Sequence, residues 1–364
     1  MKSFRVMVLI AALAFSVSAA DQWKIFSGQV NGPVKNPGGT DLKAFALKRF
    51  PGLFWAEGYY HHLNFPDGSM ITVSIGFNKS DVNLAFVYAR PGRKPFHDFI
   101  ITDVDDAKFD PKGFGLAIGK NRVRLDGNHY YLDLELEKVK ARLAYEIASP
   151  SYTYGDGMVR YPDGKSFAYY SLPIPWAKVH ARAEFDGKVA ELDGSGNMNH
   201  DAAVIFPAYM PSNQQTFWFF GPDHALAVTD FYTHPEFGRV PVQRLVFVSK
   251  EGGMFTSTNF PLKWDDWVLA KGIPFRYPRH YTLSAEGQGA KLQVEVHMQE
   301  ALLLEDLYSN LPAALRLVAE RLTRNGWTFE SWSTYTITYS SQGQTRTYQG
   351  RGITRWMDLE EDRK

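Results

Sequence analysis

The residues best suited to do chemistry lie between Glu191 and Gly238, in ELDGSGNMNHDAAVIFPAYMPSNQQTFWFFGPDHALAVTDFYTHPEFG. If residues 199–206 form a strand, His200, Ala202, Val204 and Phe206 share one face, and Asp201, Ala203 and Ile205 share the other. Whichever face looks inward carries one ionisable group, with room left beside the alanines. Such a group serves as a polar anchor for a ligand or as an acid–base group with a burial-shifted pKa. The plainer alternative is a hydrogen bond to a neighbouring loop. Asp230 shares its face with Leu226, Val228 and Tyr232. A carboxylate there faces solvent or is held by a partner, because burying it alone costs several kcal/mol. His200 and Arg244 are the partners expected across the sheet. A His200–Asp230 pair in an apolar pocket would suit proton delivery to a carbon–carbon double bond; a structural ion pair is the competing reading. Phe217-Trp218-Phe219-Phe220 puts aromatics on both faces of one strand, so one face packs as core and the other is open to lining a ligand cavity. A strand buried on both faces reads the same way. The catalytic candidates are therefore His200 and Asp230. The ligand-binding candidates are Asp201, Phe217, Phe219, Tyr232 and Arg244.

The elements that must position these groups read as strands. Asn31-Gly32-Pro33 and Asn36-Pro37-Gly38-Gly39 break regular structure near the start. From Phe54 onward, short alternating runs are separated by Phe65-Pro66-Asp67-Gly68, Arg90-Pro91-Gly92, Asp126-Gly127-Asn128, Tyr161-Pro162-Asp163-Gly164 and Phe185-Asp186-Gly187-Lys188. Such spacing predicts an all-β, mainly antiparallel sandwich or barrel, and the repeated Pro-Asp-Gly turn hints at two related halves. Gly194-Ser195-Gly196 reads as a bend. One amphipathic helix is expected in the second half: Asn310 or Ser309 caps it, Pro312 suits its first turn, and Leu311, Leu315, Val318 and Leu322 share a face. A shorter helix is expected over residues 300–308. Strands joined through Ser341-Gln342-Gly343 follow. The division is placed at 190/191, giving a signal segment 1–20, an N-terminal β-domain 21–190 and a C-terminal β-domain 191–364.

Composition narrows the function. The chain has 364 residues, with 40 Lys+Arg against 39 Asp+Glu. Two domains suit that length, and a neutral balance argues against a nucleic-acid partner. Lys2 and Arg5, the apolar run Val6 to Val17, and Val17-Ser18-Ala19-Ala20 form an export signal. The protein is expected in the periplasm, with full secretion as the other possibility and no integral span in the mature chain. The absence of cysteine removes disulfides, thiol catalysis and zinc–thiolate sites. Adjacent strand residues point to opposite faces, so neither His61-His62 nor His97-Asp98 can easily chelate one ion. No HExxH spacing, nucleophile elbow, P-loop or dinucleotide fingerprint is present in a suitable setting, and neither a metal nor another cofactor is expected.

The bend before His200-Asp201, the strand to Asp230 and the all-β halves resemble the carotenoid 1,2-hydratase/AttH family, which includes hydroxyneurosporene synthases. The resemblance implies two tandem lipocalin-like β-barrels. It also implies a proton-transfer cluster in which the family's His falls at His200 and its Asp at Asp230. The family's Trp position falls at Ala202 and its Tyr position at Val228, so the aromatic that would face a carbocation is missing. The expected function is binding of a long hydrophobic ligand, an isoprenoid or lipid, in a lipocalin-like cavity of the second barrel or between barrels. The alternative is a cofactor-free hydratase, isomerase or cyclase using His200 and Asp230.

Overall fold

The computed structural model describes residues 24–27, 32–34, 45–52, 55–110, 114–205, 213–234, 238–270, 276–287, 289–306 and 327–358. Two antiparallel sheets follow one another along the chain, one a nearly closed barrel and the other a half-barrel. This is the tandem lipocalin-like arrangement expected. The first strands are short: β1 (Lys24–Ile25) and β2 (Gly32–Val34). The first sheet then takes β3 (Trp55–Asn64), β4 (Met70–Asn78), β5 (Asp81–Ala89), β6 (Phe96–Asp103), β7 (Ala107–Asp110), β8 (Gly115–Ile118) and β9 (Asn121–Asp126). It is completed by β10 (His129–Glu135), β11 (Val139–Ile147), β12 (Tyr152–Arg160), β13 (Phe167–Phe185) and β14 (Lys188–Val204). The second sheet is built from β15 (Asn213–Phe220), β16 (His224–Tyr232), β17 (Pro241–Ser249), β18 (Gly253–Ser257) and β19 (Leu262–Leu269). Its remaining strands are β20 (Arg276–Gly287), β21 (Ala290–Asp306), β22 (Trp327–Ser341) and β23 (Gln344–Asp358).

The order of the first sheet is β6-β5-β4-β3-β14-β13-β11-β10-β9-β8-β7, with β12 on β13 and β1 on β12. The order of the second is β19-β20-β21-β22-β23-β15-β16-β17-β18-β2. The N-terminal segment, read as irregular from its Gly and Pro, therefore supplies an edge strand to each sheet. Pro33 is tolerated because β2 lies at an edge, where a missing N–H breaks no central ladder. The expected division at 190/191 falls within β14; apart from the edge strand β2, the chain passes from the first sheet to the second after Val204. The hairpin β13–β14 closes at Asp186-Gly187, both at positive φ (53° and 67°), as a two-residue turn of this twist requires. Residues 300–306, expected to be helical, continue β21, where they pair with β22 across register shifts. The expected amphipathic helix, Leu311 to Leu322, lies outside the described residues.

Side-chain alternation produces three cores. Tyr59, Val73, Phe86, Tyr130 and Leu143 fill the first sheet's concave side. Phe217, Phe219, Leu226, Phe247, Tyr281 and Trp356 fill the second. Trp176, Trp218, Phe220, Phe231, Val246, Trp332 and Ile353 form a third core, mostly from the second sheet's opposite face, where it meets the first sheet. The strands at this junction are buried on both faces, which is why their sequences read as unbroken apolar runs.

Gly194 and Gly196 lie inside β14 rather than at a bend. Here a glycine is needed for close approach: an added Cβ would stand 2.3 Å from Asn64 O at position 194 and 2.5 Å from His62 O at position 196. The obstacle is backbone, so no rotamer change relieves it. Gly196→Ala is expected to destabilise the fold by about 1–3 kcal/mol. Urea unfolding would measure this, and an unchanged midpoint would mean that β3 and β14 separate without cost.

Candidate functional site

His200 points into the first core. Its cross-strand neighbour on β3 is Tyr59, whose ring stacks on the imidazole at 4.5 Å, while Tyr169 meets it edge-on at 5.6 Å. Nε2 lies 2.6 Å from Glu57 Oε1, and neither side chain has solvent exposure. The Glu57 carboxylate also accepts N–H bonds from Lys48 (2.6 Å), Arg49 (3.0 Å) and Trp55 Nε1 (3.2 Å). Four donors around one carboxylate make this a satisfied buried anchor, which pins residues 48–49 against the sheet. Sequence reasoning missed Glu57. The available signal was a carboxylate alternating with Trp55 and Tyr59 along one strand face.

Asp201, one residue on, points the other way and meets the second sheet. Arg244 Nη1 from β17 lies 3.6 Å from Asp201 Oδ1, and the guanidinium sits 3.7 Å above the Tyr170 ring. Burial raises the Asp201 pKa, while Arg244 and then His200 oppose the rise. Asp201 and Arg244, expected as ligand contacts, are thus brought together as a tie between sheets.

Asp230 is buried on the face of β16 that carries Leu226 and Val228, so it points into the second core opposite Gln215 and Gln243. It and His200 belong to different interiors; the histidine's carboxylate partner is Glu57, and the carboxylate beside Arg244 is Asp201. The expected His200–Asp230 pair is not formed. Phe217 and Phe219 are fully buried and pack on Tyr281 (5.2 Å) and Tyr335 (4.5 Å) respectively. The strand neighbours Trp218 and Phe220 look toward the first sheet instead. Tyr232 is half-buried at the end of β16.

A cleft of about 890 Å³ opens between the two sheets. Asn64, Tyr145, Val179 and Ser195 line it from the first sheet, and Phe220, Trp332 and Tyr335 from the second. Two hydrogen bonds join the sheets beside it, from Asn64 Nδ2 to Trp218 O (3.2 Å) and from Ser195 Oγ to Gly221 O (3.0 Å). Asn64 Oδ1, Tyr145 Oη and Trp332 Nε1 are buried with no hydrogen-bond partner among the described residues. In the wall, Tyr335 Oη lies 2.8 Å from His224 Nε2, and His224 Nδ1 lies 2.7 Å from Asp223 Oδ1. An ionised carboxylate only accepts, so the imidazole proton sits on Nδ1 and Nε2 accepts from the tyrosine hydroxyl. Burial lowers the His224 pKa, with Asp223 opposing. Burial, and then Asp223, raises that of Tyr335. This chain was hidden in a run read only as a Gly-Pro-Asp turn.

His61 and His62 do point to opposite faces. His61 donates from Nδ1 to Val73 O (3.2 Å) and accepts from Tyr130 Oη at Nε2 (2.7 Å) inside the first core. His62 lies flat on Trp218 at 3.8 Å, and burial, Arg355 and His61 all disfavour its charged form.

Fold and cleft together define a tandem lipocalin-like protein with a ligand-sized opening between its halves. No protein-family model and no curated protein sequence matches the chain. Among solved structures, it is similar to kievitone hydratase from Nectria haematococca, with 12% identity over 92% of this chain and 97% of that one, at a TM-score of 0.55. An AttH candidate from Nitrosomonas europaea shows 13% identity over 90% and 99%, with a TM-score of 0.56. CghA in complex with Sch210972 shows 12% identity over 93% and 99%, with a TM-score of 0.58. The resemblance drawn from the sequence is thus borne out at the level of fold.

Burial lowers the His61 pKa from 6.5 to about 4. Between those values the unfolded chain takes up a proton that the folded chain refuses, so His61 lowers stability as pH falls from 6.5 to 4. The loss is on the order of 3 kcal/mol. His61→Gln is expected to flatten this limb of the unfolding free energy; an unchanged acid slope would show that other groups carry it.

Proposed function

We propose that the protein binds a small, largely apolar molecule of isoprenoid or lipid type in the cleft between its two sheets. The observation that carries this reading is the cleft itself: about 890 Å³, lined by Phe220, Trp332 and Val179 together with polar residues that include Asn64, Glu146, Lys178 and Asp193. Sites for small ligands have this size and this mixture of apolar wall and few polar groups. Of the two locations expected, the second sheet's interior is occupied by Phe217, Phe219, Tyr281 and Trp356, which favours the space between the sheets. CghA, on the same fold, holds the small molecule Sch210972. Lys2, Arg5 and the apolar run that follows support export to the periplasm, and no described helix is long and apolar enough to cross a membrane.

One observation favours a second reading, cofactor-free hydration or isomerisation: the Asp223–His224–Tyr335 chain ends at a cleft wall. The kievitone hydratase neighbour supports that reaction class. The Tyr335 hydroxyl, oriented by His224, would then give its proton to the double bond and recover one from the adding water, or in an isomerisation from the carbon that loses one, in place of the His200–Asp230 pair expected.

Organic extracts of the purified protein should contain a co-purifying apolar compound, and an apolar fluorescent probe should bind saturably. Phe220→Arg is expected to weaken probe binding at least about tenfold, as a buried charge in an apolar wall should. Absence of both extractable ligand and saturable probe binding would overturn the proposal. Tyr335→Phe separates the readings: a binding protein keeps its affinity, whereas an enzyme keeps affinity and loses turnover. N-terminal sequencing of periplasmic material should begin at Asp21; an uncleaved N-terminus would reject export.

A further inference from the structure

The outer face of the second sheet carries a cluster unconnected with the cleft. His280 on β20 and His297 on β21 are direct cross-strand partners, with rings stacked at 4.6 Å. Glu295, two residues before His297, shares that outward face. Its Oε1 lies 3.0 Å from His297 Nε2 and 3.4 Å from His280 Nε2. On the far side, His280 Nδ1 lies 2.8 Å from Asp265 Oδ1 on β19. One ligand atom from each of His280, Glu295 and His297 can be chosen so that all lie within 4.8 Å of one another.

We propose that His280, Glu295 and His297 form a binding site for a first-row transition dication of the zinc type, with Asp265 as a positioning residue. The chemistry of the donors supports this. Ionised Asp265 can only accept, so it holds the His280 proton on Nδ1 and leaves a lone pair on Nε2. That Nε2 is buried, has no hydrogen-bond partner among the described residues, and faces a carboxylate oxygen at 3.4 Å. Two lone pairs so opposed are reconciled by a cation between them. Ligand atoms at zinc-type bond lengths in a tetrahedral site stand about 3.4 Å apart, close to both carboxylate–imidazole separations here. A carboxylate bound to the remote nitrogen of a metal-binding imidazole is the usual way such a ligand is oriented. Two imidazoles and one carboxylate suit zinc, nickel or copper, whereas calcium and magnesium require oxygen ligands. The outward position leaves the remaining coordination to water.

The test uses untagged, chelator-treated full-length protein, titrated with Zn²⁺, Ni²⁺, Ca²⁺ and Mg²⁺ in calorimetry and thermal unfolding. Zn²⁺ and Ni²⁺ are expected to bind saturably, one per chain, and to raise the Tm, because the folded state alone presents the assembled ligands. Ca²⁺ and Mg²⁺ should leave the Tm unchanged. His297→Ala and Glu295→Gln should each weaken Zn²⁺ binding at least about tenfold, and Asp265→Asn by about 10- to 100-fold. Co²⁺ on the parent protein gives a second readout that needs no variant: nitrogen and oxygen ligation in a low-coordinate site should produce a visible absorption band. No saturable Zn²⁺ binding up to millimolar concentration, an undiminished affinity in both variants, or Co²⁺ bound without that band would each overturn the proposal.

Discussion

The structure depends on one constraint: the strands at the junction of the two sheets are buried on both faces. From Ser195 to Val204, successive residues of β14 point alternately into the first core and toward the second sheet, so an ionisable side chain there gains little water by turning outward. Each must find a partner on its own side. His200 finds Glu57 inside the first sheet, and Asp201 finds Arg244 across the junction. The same holds on β3, where His61 bonds to Tyr130 and His62 stacks on Trp218. Burial disfavours the charged form of both histidines; a backbone hydrogen bond to Val73 offsets it in part at His61, whereas Arg355 and His61 add to it at His62.

The same constraint binds the two sheets into one body. A third core is possible because β15, β16 and β17 carry apolar residues on both faces along much of their length, such as Phe217, Phe219, Leu226 and Phe247 for their own interior and Trp218, Phe220, Ala227 and Val246 for the junction. Polar ties punctuate it: Asn64 to Trp218 and Ser195 to Gly221 beside the cleft, Asp201 to Arg244 further along, and Arg355, lying over Trp218, held by Glu330 between them. Where the two surfaces part, the apolar wall continues without an opposing surface. That is how a packed junction becomes a cleft.

What the sequence disclosed was local and periodic. Asp186-Gly187, Asp126-Gly127 and Gln342-Gly343 predict hairpins from turn chemistry, and the strands on either side pair as expected. The opposite orientation of His61 and His62 follows from a period of two. Partners set by register across distant strands were not legible. Glu57 is 143 residues from His200, and nothing near either position names the other. Gly194-Ser195-Gly196 resembles a bend because glycine marks turns, yet here its lack of a side chain admits the backbone of β3. Residues 300–306 have helix-forming leucines and glutamates, but pairing with β22 outweighs that preference. The His280–His297 pair was invisible for a related reason. Metal-binding spacings are sought along one element, and this pair is made by the alignment of two strands.

The placement of His200 bears directly on which chemistry the protein can perform. The family resemblance assigned proton transfer to His200 and Asp230, but those residues lie in separate packed interiors. Presenting His200 to a substrate would require separating it from Glu57, and leaving a buried hydrogen-bonding group without its partner costs about 1–3 kcal/mol. It would also leave Glu57 with one donor fewer in the core. Tyr335 borders the cleft while its ring stacks on Phe219 in the second core, and its hydroxyl proton has an acceptor in His224. Burial, and then Asp223, raise the pKa of that phenol and favour its neutral form, while Glu146, Lys178, His180, Asp193 and Arg351 place ionisable groups elsewhere on the cleft lining. An apolar stretch of wall with ionisable groups elsewhere on the lining suits a molecule with an apolar body and a polar end. Any reaction on this scaffold would have to begin from binding of that kind.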